Sequence, residues 1–216
     1  DGLTDLFVTN FEGEANALYI QDADGTYTDR SQEFGLAAPS RPLLGFGTQF
    51  LDADLDSYPD LVVANGHVND QRVPGTQYQM RPQLFRNLAG RTFREVATAA
   101  AGNYFDGNYL GRGMAVLDWN GDGRPDVAIS HLDRPSALLT NKSRVRGHWL
   151  QIEMIGTASA REPIGATVAI DVASRRLIRQ LLGGDGYESS NQRMLIFGLG
   201  DSAPPSVTLH VEWPRG

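Results

Sequence analysis

Apolar residues along the chain fall in short bursts bounded by Gly, Asp, Asn, Ser and Pro, the pattern of brief strands joined by turns. Over the first part the bursts are Leu6 to Thr9, Leu18 to Gln21, Thr26 to Asp29, Gly47 to Leu51, Leu61 to Ala64, Leu84 to Asn87, Thr92 to Val96, Val127 to Ser130 and Ala137 to Thr140. The last part alternates in the same way over Trp149 to Ile155, Ala166 to Val172, Arg176 to Leu182, Arg193 to Gly198 and Val207 to Trp213. Arg175 to Leu182 also fits one or two helical turns, but its place between two turn-forming stretches favours a strand. The pattern predicts an all-β chain.

The bursts repeat. Gly45 to Gly66 (GFGTQFLDADLDSYPDLVVANG) aligns without gaps on Gly111 to Leu132 (GRGMAVLDWNGDGRPDVAISHL), at an offset of 66 residues. Each copy gives a strand in, a nine-residue loop and a strand out. A hairpin follows at 84–87 and 92–96, matched earlier by 18–21 and 26–29. Four short strands per unit predict a propeller blade, and stacking on neighbours is what buries both faces of such a unit. Between two and three units are visible, so the remaining blades are expected upstream. Residues 1–145 are read as blades of a partial β-propeller. The polar stretch Asn141 to Gly147 connects them to a small β-sandwich-like domain over 146–216.

The loops carry the candidate chemistry. In Asp118-Trp119-Asn120-Gly121-Asp122-Gly123-Arg124-Pro125-Asp126, oxygen side chains stand at positions 1, 3, 5 and 9, with glycine at 6 for a sharp turn. A hard cation such as Ca2+ takes about six to eight oxygens. Asp118, Asn120, Asp122 and Asp126 supply side chains, and Arg124 a backbone carbonyl at position 7. The paired loop offers Asp52, Asp54, Asp56 and Asp60, with the carbonyl of Tyr58. Asp1 and Asp5 match positions 5 and 9 of a first loop without its earlier ligands, so that site is expected to be weak or empty. An EF-hand is excluded, because its glutamate at position 12 is here Ile129, within a predicted strand. The loop reads as a clamp between strands. Asp22-Ala23-Asp24-Gly25 lacks the ligand spacing and reads as a turn.

Charge agrees with ligand supply. Residues 1–147 hold 19 Asp and Glu against 13 Lys and Arg, whereas 148–216 hold 7 and 6. Two bound calcium ions would return four positive charges to the acidic part. No basic stripe suggests nucleic acid, and no apolar run reaches the length of a membrane span. The chain has no cysteine, which removes disulfides, thiolate metal sites and cysteine nucleophiles.

Flanks and loops together resemble the FG-GAP or VCBS repeats of integrin-type β-propellers. Asn65-Gly66-His67, Gln83 to Asn87, Gly111-Arg112-Gly113 and the C-terminal block are similar to the cartilage acidic protein family, bacterial and animal, which ends in an ASPIC/UnbV domain. That domain would run from His148-Trp149-Leu150 through Ile164-Gly165-Ala166 and Gly183 to Asn191 to the Val211-Glu212-Trp213 end. Two departures stand out: Ala160-Arg161-Glu162 replaces the family's Asn-Arg-Asp, and Ser57 stands where the family prefers glycine. The resemblance implies calcium-binding, non-catalytic proteins that are secreted, periplasmic or on the cell surface, with a protein or glycan partner.

Two other readings use different residues. A hydrolase would draw on His67, Asp70 or His131 with a loop metal, but no serine elbow, HExxH or paired-carboxylate pattern accompanies them. Carbohydrate recognition would use Trp149, Tyr187 or Trp213 as stacking faces, although Trp149 and Trp213 are expected in the core of the C-terminal domain. Tyr104, Phe105 and Tyr109 are expected to cover a blade edge.

Overall fold

The computed structural model describes residues 2–70, 75–144, 147–172, 175–202 and 205–214. Asp1 and the expected boundary at 145–146 lie outside those residues. The chain is all-β, built of several small antiparallel sheets that form no closed barrel among the described residues.

The first sheet has the order β1 (Leu6–Val8), β2 (Ala17–Gln21), β3 (Tyr27–Asp29). The second is β4 (Gly45–Leu51), β5 (Asp60–Asn65), β6 (Gln83–Asn87), β7 (Phe93–Glu95), and the third is β8 (Gly111–Leu117), β9 (Asp126–His131), β10 (Ala137–Leu139). The aligned repeats fold alike down to register: Leu51 pairs with Asp60 and Leu117 with Asp126, and both first strands bulge at the same place, between Gly45 and Thr48 and between Gly111 and Met114. Among the described residues the second sheet has four strands and the first and third have three each, so one complete unit stands between two partial ones.

The second sheet is buried on both faces, which explains why β5 reads as a continuous apolar run rather than an alternation. Leu61 and Val63 pack with Leu18, Leu36, Phe85 and Phe93 toward the first sheet. Val62 and Ala64 pack with Leu51, Met114, Val127 and Ile129 toward the third. Burial of each such side chain is worth about 1.5–3 kcal/mol. Where β4 meets β8 the backbones come so close that a Cβ on Gly47 would lie 2.3 Å from the Arg112 carbonyl oxygen. Phe105, on a short 3-10 turn (Asn103–Asp106), fills the same core as Met114.

Two further sheets follow, β11 (His148–Ile152) with β14 (Leu195–Gly200), and β12 (Thr167–Val172) between β13 (Arg175–Gln180) and β15 (Leu209–Glu212). The ambiguous stretch at 175–182 is therefore a strand. Their shared core is Met154, Ala166, Val168, Ile170, Leu177, Leu195 and Phe197. Trp149 and Trp213 are not in it: they are 42% and 48% exposed, contrary to expectation. The Trp149 ring instead covers the backbone of Gly123, where an added Cβ would lie 2.0 Å from it.

Polar contacts tie this unit to the second and third sheets. Gln192 N–H donates to the Val116 carbonyl (2.9 Å), and the amides of Val116 and Asp118 donate to the side-chain oxygens of Asn191 (2.7 Å) and Gln192 (2.8 Å). Ser189 donates to the Met114 carbonyl (2.6 Å), and Asn191 Nδ2 donates to Gln49 Oε1 (2.9 Å).

Candidate metal centre

Each nine-residue loop closes a tight hairpin, and its carboxylates first organise its own backbone. At position 1, Asp52 accepts the amides of Asp56 (2.9 Å) and Ser57 (2.8 Å), and Asp118 accepts those of Asp122 (3.1 Å) and Gly123 (2.8 Å). At position 5, Asp56 accepts the amide of Tyr58 (2.9 Å) and Asp122 that of Arg124 (3.0 Å), which fixes the residue expected to offer its carbonyl. At position 9, Asp60 and Asp126 each accept the amide of position 2, from Ala53 and Trp119, both at 3.2 Å.

A further partner escaped the sequence reading. The second oxygen of Asp60 accepts the amide of Asn87 (2.7 Å), and that of Asp126 accepts the amide of Asn141 (2.6 Å). Asn87 ends the third strand of its sheet and Asn141 lies two residues past its own, and both donate through Nδ2 to the carbonyl of the proline before position 9, at Pro59 (2.9 Å) and Pro125 (3.3 Å). In the first unit Asp5 accepts the amide of Gln21 (3.0 Å), so the latch survives there with glutamine. The signal was the shared asparagine in Gln83 to Asn87 and in Leu138-Leu139-Thr140-Asn141.

The two loops differ where it matters for a cation. Asp52, Asp54 and Asp56 bring one carboxylate oxygen each to within 4.8 Å of one another. Oδ1 of Asp54 is buried and has no hydrogen-bond partner, while its other oxygen meets Arg86. Burial pushes Asp52 up to about 6 and Asp60 up to about 7, with neighbouring carboxylates adding to the rise, and Asp56 is raised for the same reasons. A buried carboxylate group lacking enough donors is the environment a hard cation satisfies, so these residues fit calcium. In 118–126 the Arg124 guanidinium donates to Asp122 (2.7 Å) and holds it below the usual carboxylate range. Asn120 also donates to Asp122 (3.0 Å), and Gln151 of β11 to Asp118. Asp126 is raised by burial. A cation there would have to displace Arg124.

Backbone conformation separates them again. Positions 4 and 6 are left-handed in both loops: Gly121 and Gly123 have φ of 71° and 82°, but the other loop places Leu55 at 56° and Ser57 at 73°. Ser57 thus adopts the left-handed turn its position demands, and Leu55 adds a second, unanticipated one.

The remaining candidates lie elsewhere. Asp22 to Gly25 forms a tight turn, with Thr26 donating its amide (3.0 Å) and hydroxyl (2.7 Å) to Asp24. His67 is 1% exposed; its Nδ1 accepts the Asn69 amide (3.0 Å) and its Nε2 lies 3.7 Å from Glu12. His131 bonds instead to Tyr104 Oη (2.7 Å), within a stack in which Tyr109 lies against both rings. The two histidines have different partners. Tyr187 packs edge-on against Phe46, with ring centroids 5.1 Å apart.

A run of antiparallel sheets closed by aspartate-rich loops and followed by a separate β unit defines a repeat protein with a C-terminal β domain. The chain belongs to the FG-GAP-like repeat family, which matches residues 1–63 and 52–129, and it carries an ASPIC and UnbV domain matched over 156–216. It is homologous to cartilage acidic protein 1: it is 26% identical to the Xenopus tropicalis protein over 222 residues, covering 100% of this chain and 32% of that one. The Homo sapiens and Mus musculus proteins are 23% and 22% identical over 262 residues, each aligned over 99% of this chain and over 39% and 40% of their own lengths. The chain therefore spans from 32% to 40% of the length of these relatives.

Proposed function

We propose that this chain is part of a calcium-binding, non-catalytic extracellular interaction module. Residues 1–145 are read as blades of a β-propeller and 146–216 as a β-sandwich-like ASPIC/UnbV domain. The observation that carries the reading is the convergence of one carboxylate oxygen each from Asp52, Asp54 and Asp56 within 4.8 Å, together with a buried Asp54 oxygen that has no hydrogen-bond partner. Asp60 and the Tyr58 carbonyl would complete this set, and Asp118, Asn120, Asp122, Asp126 and the Arg124 carbonyl would form the second. Bound calcium would neutralise the clustered carboxylates. Asp52 follows β4 and Asp60 opens β5, so the filled loop would join the two strands at their open ends.

The propeller reading is supported by the two-sided burial of the second sheet and by apolar residues left uncovered on the outer sheets. Leu6 and Val8 of β1 and Leu138 of β10 are between 44% and 49% exposed, as blades awaiting neighbours would be. The FG-GAP-like repeats and the homology to cartilage acidic protein 1 support a secreted, periplasmic or cell-surface location with a protein or glycan partner. No helix among the described residues is long and apolar enough to cross a membrane.

Calorimetric titration of the metal-free chain with calcium tests the reading. A site with Kd of about 10⁻⁴–10⁻³ M or tighter is expected, and Asp54→Ala should remove it. Absence of binding in the wild-type chain would overturn the calcium assignment.

A further inference from the structure

The contacts around loop 52–60 come from two directions. From inside, the carboxylates of Asp52, Asp54 and Asp56 crowd together. From outside, the C-terminal unit grips the same residues. Ser57 Oγ donates to the Gly198 carbonyl (2.8 Å), and the Gly200 amide donates to the Leu55 carbonyl (2.9 Å). Arg175 donates to the Ser57 carbonyl (2.7 Å), and its guanidinium lies 3.6 Å from the centre of the Tyr58 ring. Strand β14 passes so close that a Cβ on Gly198 would lie 2.1 Å from Asp52 Oδ2 and 2.7 Å from Leu55 Cα.

The residues gripped are the two that resist their conformation. Leu55 and Ser57 sit at φ 56° and 73°, where the companion loop uses Gly121 and Gly123. A loop with glycine at both positions turns unaided. This one is opposed by its backbone and by the mutual repulsion of its carboxylates, so it needs to be held. A cation would hold it from within by relieving the repulsion, and β14 holds it from without by bonding Leu55 and Ser57. Both require the same loop conformation.

We propose that cation binding by loop 52–60 and docking of the ASPIC/UnbV domain on it are linked, each strengthening the other, with Leu55 and Ser57 as the shared element. The proposal rests on the calcium reading above and adds to it a partner for the loop, namely the chain's own β14. Linkage is reciprocal: calcium should tighten docking by the factor by which docking tightens calcium.

Hydrogen exchange and calorimetry on the whole chain test both directions. In the wild-type protein, calcium should slow exchange of the Gly200 and Gln192 amides, which bond across the seam, by about tenfold. Gly198→Ala forces β14 off Asp52 and should weaken calcium binding by a similar factor. Arg175→Ala removes the bond to the Ser57 carbonyl and the contact on the Tyr58 ring while leaving every proposed ligand oxygen and the tight contact at Gly198 in place; it also removes a positive charge acting on Asp56, which alone would favour calcium, so weaker calcium binding in this variant reports the lost grip and the test survives if Gly198→Ala fails to fold. Wild-type chain that binds calcium while its seam amides exchange unchanged, with affinity retained in Arg175→Ala, would overturn the linkage and leave the calcium site standing. Wild-type chain that binds no calcium would overturn both.

Discussion

At the scale of single residues, the aspartates of loop 52–60 are set against their own burial. Asp52 and Asp60, lifted to about 6 and about 7 from an ordinary 3.8, hold protons in the folded state that the unfolded chain has released. The sign follows from linkage: between about pH 4 and 7 the folded state binds more protons, so stability falls as pH rises through that window. Metal-free protein should therefore melt higher at pH 5 than at pH 8, and millimolar calcium should reduce or reverse the difference by stabilising the ionised carboxylates. Melting curves at the two pH values, with and without chelator, check this. Replacement of Asp54 by alanine removes both of its carboxylate oxygens, among them the buried one that has no hydrogen-bond partner. If calcium binds at about 0.1 mM and is supplied at about 1 mM, the stabilisation lost is about 1.4 kcal/mol. Asp122→Asn should lose less, because Arg124 already occupies that carboxylate. Ser57 offers a cleaner separation of backbone from contact. Ser57→Ala keeps the left-handed penalty and loses the bond to Gly198, so it should cost about 1 kcal/mol, whereas Ser57→Gly loses the same bond but relieves a left-handed penalty of roughly 1–2 kcal/mol and should be close to neutral. Denaturant titration of the two variants distinguishes them.

At the scale of elements, the strands were legible because each buries an alternating or continuous apolar run between turn residues, and gapless alignment of two loops made their equivalence plain before any coordinate. The preference between the loops was less visible, though its causes are local: Asn120 in place of an aspartate, and Arg124 two residues from Asp122. The latch from the third strand was missed because a single asparagine at a strand end looks like turn chemistry. Its meaning appears only when β5 and β6 are paired and the Asn87 amide reaches Asp60. The short helix at Ala37–Ser40 and the 3-10 turn at Asn103–Asp106 carry no sustained period and left no signal. Trp149 was misplaced for a different reason: an aromatic in a strand reads as core, and only the fold shows that its target is another domain's backbone. The latch makes a prediction at this scale. Asn87 donates to the Pro59 carbonyl and accepts the Gly90 amide (2.8 Å), joining the end of loop 52–60 to the β6–β7 turn. Asn87→Ala should cost about 2 kcal/mol through two lost bonds, and it should weaken calcium binding, because Asp60 then stands on a looser turn.

At the scale of the whole molecule, the C-terminal β unit lies over both nine-residue loops rather than hanging from the last repeat. Strand β14 meets loop 52–60 through Gly198, and β11 meets loop 118–126 through Trp149 and Gln151. These two strands form one sheet, so a single element spans two repeats. Separate folding of the halves would leave both loops open on one side, and the repeat array would lose contacts at the candidate cation sites themselves. Two glycines in one loop isolate this seam from ordinary backbone effects. Gly121 and Gly123 have nearly the same left-handed φ, but a Cβ on Gly121 meets open space, and one on Gly123 would enter the Trp149 ring. Alanine at either position should carry a similar backbone penalty, roughly 1–2 kcal/mol. Only Gly123→Ala must also move Trp149, adding an overpacking cost of about 1–3 kcal/mol. It should shift tryptophan fluorescence toward the solvent-exposed spectrum and speed exchange of the Gln192 amide, with Gly121→Ala changing neither. Equal destabilisation by the two variants, with the fluorescence unmoved, would mean that the domain does not rest on loop 118–126 in solution.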